Sequence, residues 1–125
     1  MWKSIVYVAL GSAIGGVCRM LLQQWVQRRA DATFPFGTLA VNVLGCFALG
    51  VVYALAAKNQ LLSAEARLFL ATGLCGGFTT FSSFMSDNVS MLQDGELVHT
   101  LVYVGISLVA GFAAMLLGAF LTKTL

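Results

Sequence analysis

The chain has 125 residues, 59% of them hydrophobic and 10% charged, with a formal net charge of +2 and a mean hydropathy of +0.90. Soluble domains carry about 25% charged residues, so this composition excludes an ordinary soluble domain and indicates an integral membrane protein. The few positive charges are scattered, which excludes a nucleic-acid-binding patch.

A spanning helix needs about 20 mostly apolar residues. The chain has room for about four such helices and short connections, a single all-α membrane domain over residues 1–125. The first apolar segment runs from about Ser4 to Val26. Lys3 and the run from Ile5 resemble a secretory signal, but the apolar pattern continues through Gly15-Gly16 to Trp25, past any plausible cleavage point. Gly11 and Gly15 form a small-xxx-small pair, the signature of close helix contact. Arg19 follows about two turns before the segment ends. An arginine within a span either faces a wet cavity or snorkels to the surface; its depth favours a vestibule.

A loop with Arg28, Arg29, Asp31 and the only proline, Pro35, leads to a second segment, about Gly37 to Ala57. Thr38, Asn42 and Gly45 share one face of it. An intramembrane amide must find partners, so Asn42 either bonds another helix or offers a donor to a permeating anion. The second loop runs from Lys58 to Arg67.

The third segment is interrupted. Apolar helical patterns over Leu68–Leu74 and Phe81–Leu92 flank a Gly76-Gly77 pair and a Thr79-Thr80 pair. Each glycine weakens a helix by about 1 kcal/mol relative to alanine. Unwound backbone within a bilayer is tolerated only where protein buries it or a wet cavity receives it. A break near Gly76–Thr80 is therefore expected, serving a binding or permeation site, or else the small residues serve close helix packing. The segment ends in polar residues from Asp87 and Asn88 to Glu96, and His99 is expected at the surface. The fourth segment, about Leu97 to Leu121, carries Tyr103, Ser107 and Gly111 as one semi-polar stripe.

Cys18, Cys46 and Cys75 all fall inside apolar segments with no metal-binding spacing, and are expected to be small buried hydrophobes. Four spans would place Lys3, Lys58, Arg67 and Lys123 on one side, against Arg28, Arg29 and the intramembrane Arg19. Orientation follows Lys/Arg asymmetry, so this near-balance permits both orientations and an antiparallel two-fold pair.

No carboxylate lies mid-segment, which argues against a proton-driven exporter. No phosphate-binding loop or nucleophile–base pair is present, so no enzyme is expected. What remains is a neutral set: Thr38, Asn42, Thr79, Thr80, Ser82, Ser83, Tyr103, Ser107 and the pair Phe81 and Phe84. An aromatic ring has a positive edge, and two edges turned to a pore would partly replace the water around a small anion. Weak neutral coordination lets the ion leave again, as conduction requires. A break frees backbone carbonyls, hard donors suited to an alkali cation.

The stretches Gly73-Leu74-Cys75-Gly76-Gly77-Phe78-Thr79-Thr80-Phe81-Ser82-Ser83-Phe84 and Pro35-Phe36-Gly37-Thr38-Leu39-Ala40-Val41-Asn42-Val43-Leu44-Gly45 resemble the Fluc, or CrcB, family of fluoride channels. Gly11 through Arg19 is similar to that family's Gly-rich first helix. The resemblance covers nearly the whole chain. It implies an antiparallel dual-topology homodimer in the bacterial inner membrane, with two fluoride pores that release fluoride passively. By motif position Phe81 and Phe84 would be the pore phenylalanines and Asn42 the amide that bonds the ion. Gly76 and Thr79 would give backbone carbonyls to a structural sodium ion. Met20, Ser12, Ser83, Asp87 and Gly111 depart from the usual pattern but leave the core motif untouched. The rival readings are a small dual-topology multidrug transporter, disfavoured by the missing carboxylate, and a non-transporting scaffold.

Overall fold

A computed structural model describes residues 1–58 and 62–125; residues 59–61 of the expected second loop lie outside the described residues. The described chain is helical, with no strand among the described residues. We number the helices α1 (Trp2–Ala30), α2 (Phe36–Ala57), α3 (residues 64–78), α4 (Phe81–Gln93) and α5 (Leu97–Thr124). Four spans are long and apolar enough to cross a membrane, of 29, 22, 30 and 28 residues. The third is composite, α3 and α4 together covering Ala64–Gln93.

The helix ends follow from local chemistry. Asp31 takes the left-handed conformation (φ 46°) and donates its N–H to Gln27 O, which closes α1. The Gln27 side chain then organises the turn. Its Nε2 donates to the Ala32 and Phe34 carbonyls at 2.8 and 3.0 Å, and its Oε1 accepts from Gly37 N at 2.9 Å. Ser63 caps α3 by accepting from Ala66 N. At the end of α4, Gly95 N–H reaches Leu92 O and Glu96 N–H reaches Met91 O, with Gly95 at φ 76°. This is a Schellman closure, and it needs a residue that tolerates positive φ. Lys58 Nζ donates to Thr122 O at 3.4 Å, which places the second loop beside the last turns of α5. His99 is exposed, 3.8 Å from Glu96, at the surface as its position implies.

Two helix pairs carry the packing: α1 lies against α3, and α2 lies against α5. The first is a seam of backbone on backbone. A Cβ on Gly73 would sit 2.9 Å from Gly11 Cα, and one on Gly77 would sit 2.7 Å from Ser12 O. A Cβ on Gly15 would collide with Leu74 O. In the second pair, a Cβ on Gly50 would meet the Met115 carbonyl and one on Gly118 the Phe47 carbonyl. Lipid supplies no hydrophobic drive between helices, so such close approach, with its dispersion contacts, holds the spans together.

Along this seam, Leu68–Cys75 forms a π-helix. Such wide turns cluster at functional sites, and no periodicity in the sequence signals this one. The break is narrower than the glycines led us to expect. Gly76 is helical (φ −62°, ψ −38°), as is the short run Gly76–Phe78. Only Thr79 (φ −86°, ψ 157°) and Thr80 (φ −148°, ψ 111°) are extended. Gly73 and Gly77 serve contact with α1, and the threonines serve the break. The cysteines also depart from expectation: Cys75 is buried, Cys46 half-buried and Cys18 exposed.

Adjacent glycines give a matched test. A Cβ on Gly16 meets nothing within 4 Å, whereas one on Gly15 strikes α3 backbone. Gly15→Ala is expected to destabilise the fold by about 1–3 kcal/mol through overpacking. Gly16→Ala should be neutral or stabilising by up to about 1 kcal/mol through helix propensity. Thermal unfolding in detergent measures both.

Candidate functional site

The site is built on the broken third span. Breaking a helix strands the last carbonyls of α3 and the first amides of α4, and hydrocarbon offers them no partners. Asn42, from the middle of α2, answers both needs of one residue. Its Oδ1 accepts from Thr80 N at 2.7 Å and its Nδ2 donates to Thr80 O at 3.1 Å. Thr80 in turn caps α4: its Oγ1 accepts from Ser83 N at 3.1 Å and lies 3.3 Å from Ser82 Oγ. This is an ordinary N-cap, made by a residue type that favours the position just before a helix. On the α3 side, Thr79 N–H and Thr79 Oγ1 both donate to Cys75 O, at 3.0 and 3.1 Å. The Gly77 carbonyl accepts from Arg19 Nε at 3.1 Å. Thr80 N–H, which would have closed the next turn onto Gly76 O, is given to Asn42 instead. Gly45 makes room for the corner, since a Cβ there would collide with Thr79 Cγ2.

Beside the corner lies a groove of about 370 Å³. Asn42, Gly76, Thr79, Thr80, Phe81, Phe84 and Ser107 all line it, so α2, both halves of the broken span and α5 contribute. Phe81 and Phe84 have ring centroids 6.1 Å apart and planes tilted by 48°. Their surroundings differ: Phe81 is 73% exposed and Phe84 only 9%. Phe84 packs on Tyr103 at 4.9 Å between centroids, and Phe34 meets the same tyrosine edge-on at 5.5 Å. Ser107 Oγ is buried without a hydrogen-bond partner among the described residues. One of the two Asn42 Nδ2 hydrogens is taken by Thr80 O; the amide holds a second.

The remaining predicted site residues gather elsewhere. A second cavity, of about 490 Å³, is lined by Arg19, Gln23, Thr38 and Asp87. Gln23 Nε2 donates to Thr38 Oγ1 at 2.8 Å, and Thr38 is buried. Tyr103 has no exposure, yet its hydroxyl donates to Asp87 Oδ2 at 3.0 Å, so its polar tip serves this vestibule while its ring backs Phe84. Arg19 lines the vestibule and reaches sideways onto the break rather than snorkelling to the surface. Ser82 is exposed and lines neither cavity. The eight hydroxyl, amide and aromatic pore candidates therefore do not form one file. Asn42, Thr80, Phe81, Phe84 and Ser107 face the groove, Thr38 faces the vestibule, and Tyr103 with Phe84 forms the wall between them.

Sequence reasoning missed Gln23, Gln27 and the pairing of Asp87 with Tyr103. Gln23 could have been found from its spacing: it stands four residues after Arg19 and four before Gln27, one helical face of α1.

Comparison with known proteins bears on this geometry. Residues 6–119 match the family model described as CrcB-like protein, Camphor Resistance (CrcB). A protein of Agrobacterium fabrum named fluoride-specific ion channel FluC is 47% identical over 122 residues, 98% of each chain. One of the same name from Azobacteroides pseudotrichonymphae is 44% identical over 124 residues, again 98% of each chain. A third, from Chlorobium chlorochromatii, is 45% identical over 114 residues, 91% of this chain and 88% of its own. These relatives are named as ion channels, a class distinct from enzymes.

Asn42→Ala strands both backbone groups of Thr80. The expected cost is about 1–3 kcal/mol per unsatisfied buried group, seen as a lowered unfolding temperature. Amide hydrogen exchange at residues 79–83 should quicken while exchange within α5 stays slow. Unchanged exchange at the corner would mean that Asn42 does not hold it.

Proposed function

The chain belongs to the CrcB family, and on that premise we propose that it is a fluoride-selective ion channel. In this reading it lets fluoride leave the cell passively across the bacterial inner membrane, keeping cytoplasmic fluoride low. The names of its relatives support the ion. The observation that carries the reading to these residues is the groove in which Phe81, Phe84, Asn42 and Ser107 meet beside the broken span.

Fluoride is small and strongly hydrated, so a pore must replace lost water with donors. In this reading the donors are the second Asn42 N–H, the Ser107 hydroxyl, which has no partner among the described residues, and the positive edges of the Phe81 and Phe84 rings. None carries a full charge, and weak coordination allows the ion to move on. Arg19, at the vestibule, would draw anions toward the groove. Its Nε holds the Gly77 carbonyl, and the rest of its guanidinium is available to the cavity.

The functional unit we propose is an antiparallel homodimer with two pores. The groove lies open along one face of the chain, and a second copy related by a two-fold axis would close it. The nearly balanced Lys/Arg distribution supports insertion in both orientations. The residues at the break also suit a structural sodium ion. Gly76 O has lost its helical donor and Thr79 O precedes extended backbone, so each chain would contribute two hard carbonyl oxygens of the kind alkali cations prefer. The ion would supply the positive charge that lets two such carbonyl pairs face one another.

Fluoride efflux from liposomes containing the purified protein tests the central proposal. Efflux well above that of empty vesicles, with chloride retained, is expected; equal passage of both halides would sink it. Phe81→Ile should slow efflux roughly fivefold if a ring edge contributes about 1 kcal/mol at the barrier. Being so exposed, Phe81 should yield without loss of stability. Phe84→Ile should slow efflux and also lower the unfolding temperature, because it removes the support of Tyr103. Exchanging sodium for a bulky organic cation during purification should weaken the dimer, measured by its sedimentation in detergent.

A further inference from the structure

The outward face of the last turns of α1 carries a feature that the groove and vestibule do not use. Residues including Cys18, Leu21, Leu22, Trp25, Arg28 and Arg29 enclose a shallow depression of about 660 Å³. It is apolar at its Cys18 end and doubly cationic at its Arg28–Arg29 end. Trp25, 56% exposed, stands between the two. The Arg29 guanidinium carbon lies 5.2 Å from the Trp25 ring centroid, within cation–π range.

Two observations set its depth and its preference. Lys3 and Arg28 are separated by roughly 37 Å along α1 at about 1.5 Å per residue, more than the ~30 Å hydrocarbon core. The two arginines therefore lie at the membrane–water boundary, where tryptophan also settles. Among the described residues the one ion pair is His99 with Glu96, so neither guanidinium is neutralised by a carboxylate. Each offers five donors in a fork that matches phosphate oxygens.

We propose that this depression is a binding site for an acidic glycerophospholipid. The phosphate pairs with Arg28 and Arg29, the glycerol region rests against Trp25, and an acyl chain runs along Leu21, Leu22 and Cys18. A choline lipid presents a phosphate too, but it brings its own cation to the arginines and loses the electrostatic gain. A free phosphate lacks the chain that fills the apolar end. The site shares only Gln24 with the vestibule lining, and it does not depend on which ion the protein conducts.

The sequence contains two tryptophans, Trp2 and Trp25, so Trp2→Phe leaves Trp25 as sole fluorescent reporter. In mixed phosphatidylglycerol–phosphatidylcholine vesicles, one lipid is brominated at a time at equal mole fraction. Brominated phosphatidylglycerol should quench Trp25 with an apparent preference of roughly thirtyfold, the effect expected of two basic residues at an acidic surface. Arg28→Gln and Arg29→Gln should each reduce the preference and the double variant should abolish it, while millimolar inorganic phosphate leaves it unchanged. Equal quenching by the two lipids, or a preference that survives the double variant, would overturn the site. A preference erased by inorganic phosphate would overturn the lipid assignment in favour of a soluble anion.

Discussion

Every backbone polar group within hydrocarbon must find a partner inside the protein, and that constraint governs this fold. A span can be interrupted only where other regions of the chain supply what the missing turn would have supplied. Here Asn42 serves the N–H and C=O of Thr80, Arg19 serves the Gly77 carbonyl, and the Thr79 and Thr80 hydroxyls serve Cys75 O and Ser83 N. Side chains from α1 and α2 thus finish a third helix that cannot finish itself. The groove exists because they do.

The glycines make this repair possible. Arg19 reaches Gly77 only because Gly11, Gly15, Gly73 and Gly77 let the backbones of α1 and α3 touch. Asn42 reaches Thr80 because Gly45, one turn further along α2, leaves space for the Thr79 methyl. The two cavities then follow from the corner. The groove lies where α4 leaves the line of α3, and the vestibule lies where the first turns of α2, under the Gln27-ordered loop, meet α1 and Asp87. Between them stands a wall of Phe84 and Tyr103, dry on the ring faces and polar at the tyrosine tip.

Much of this was legible in the sequence. The four spans follow from hydropathy, and the polar residues worth watching follow from their rarity in apolar surroundings. The position of the break was legible to within a few residues, but the agent was misread. Intrinsic propensity marks Gly76-Gly77 as the weak point because it measures isolated helices in water. In this fold a neighbouring helix pressed against Gly77 keeps both glycines helical, and the rupture falls on two threonines that can satisfy their own ends. The π-turns of Leu68–Cys75 and the Tyr103–Asp87 bond were not legible, since both arise from packing between segments distant in sequence. Cys18 was misjudged for a simpler reason: apolar surroundings in sequence do not say which face of a span turns inward.

The paired hydrogen bonds between Asn42 and Thr80 have a mechanical meaning. A corner pinned through both its donor and its acceptor resists swinging, because a change of angle between α3 and α4 strains both bonds together. The broken span is therefore a fixed elbow and not a gate. In the proposed channel, passage along it would be governed by how an ion exchanges one set of ligands for the next, with the backbone standing still.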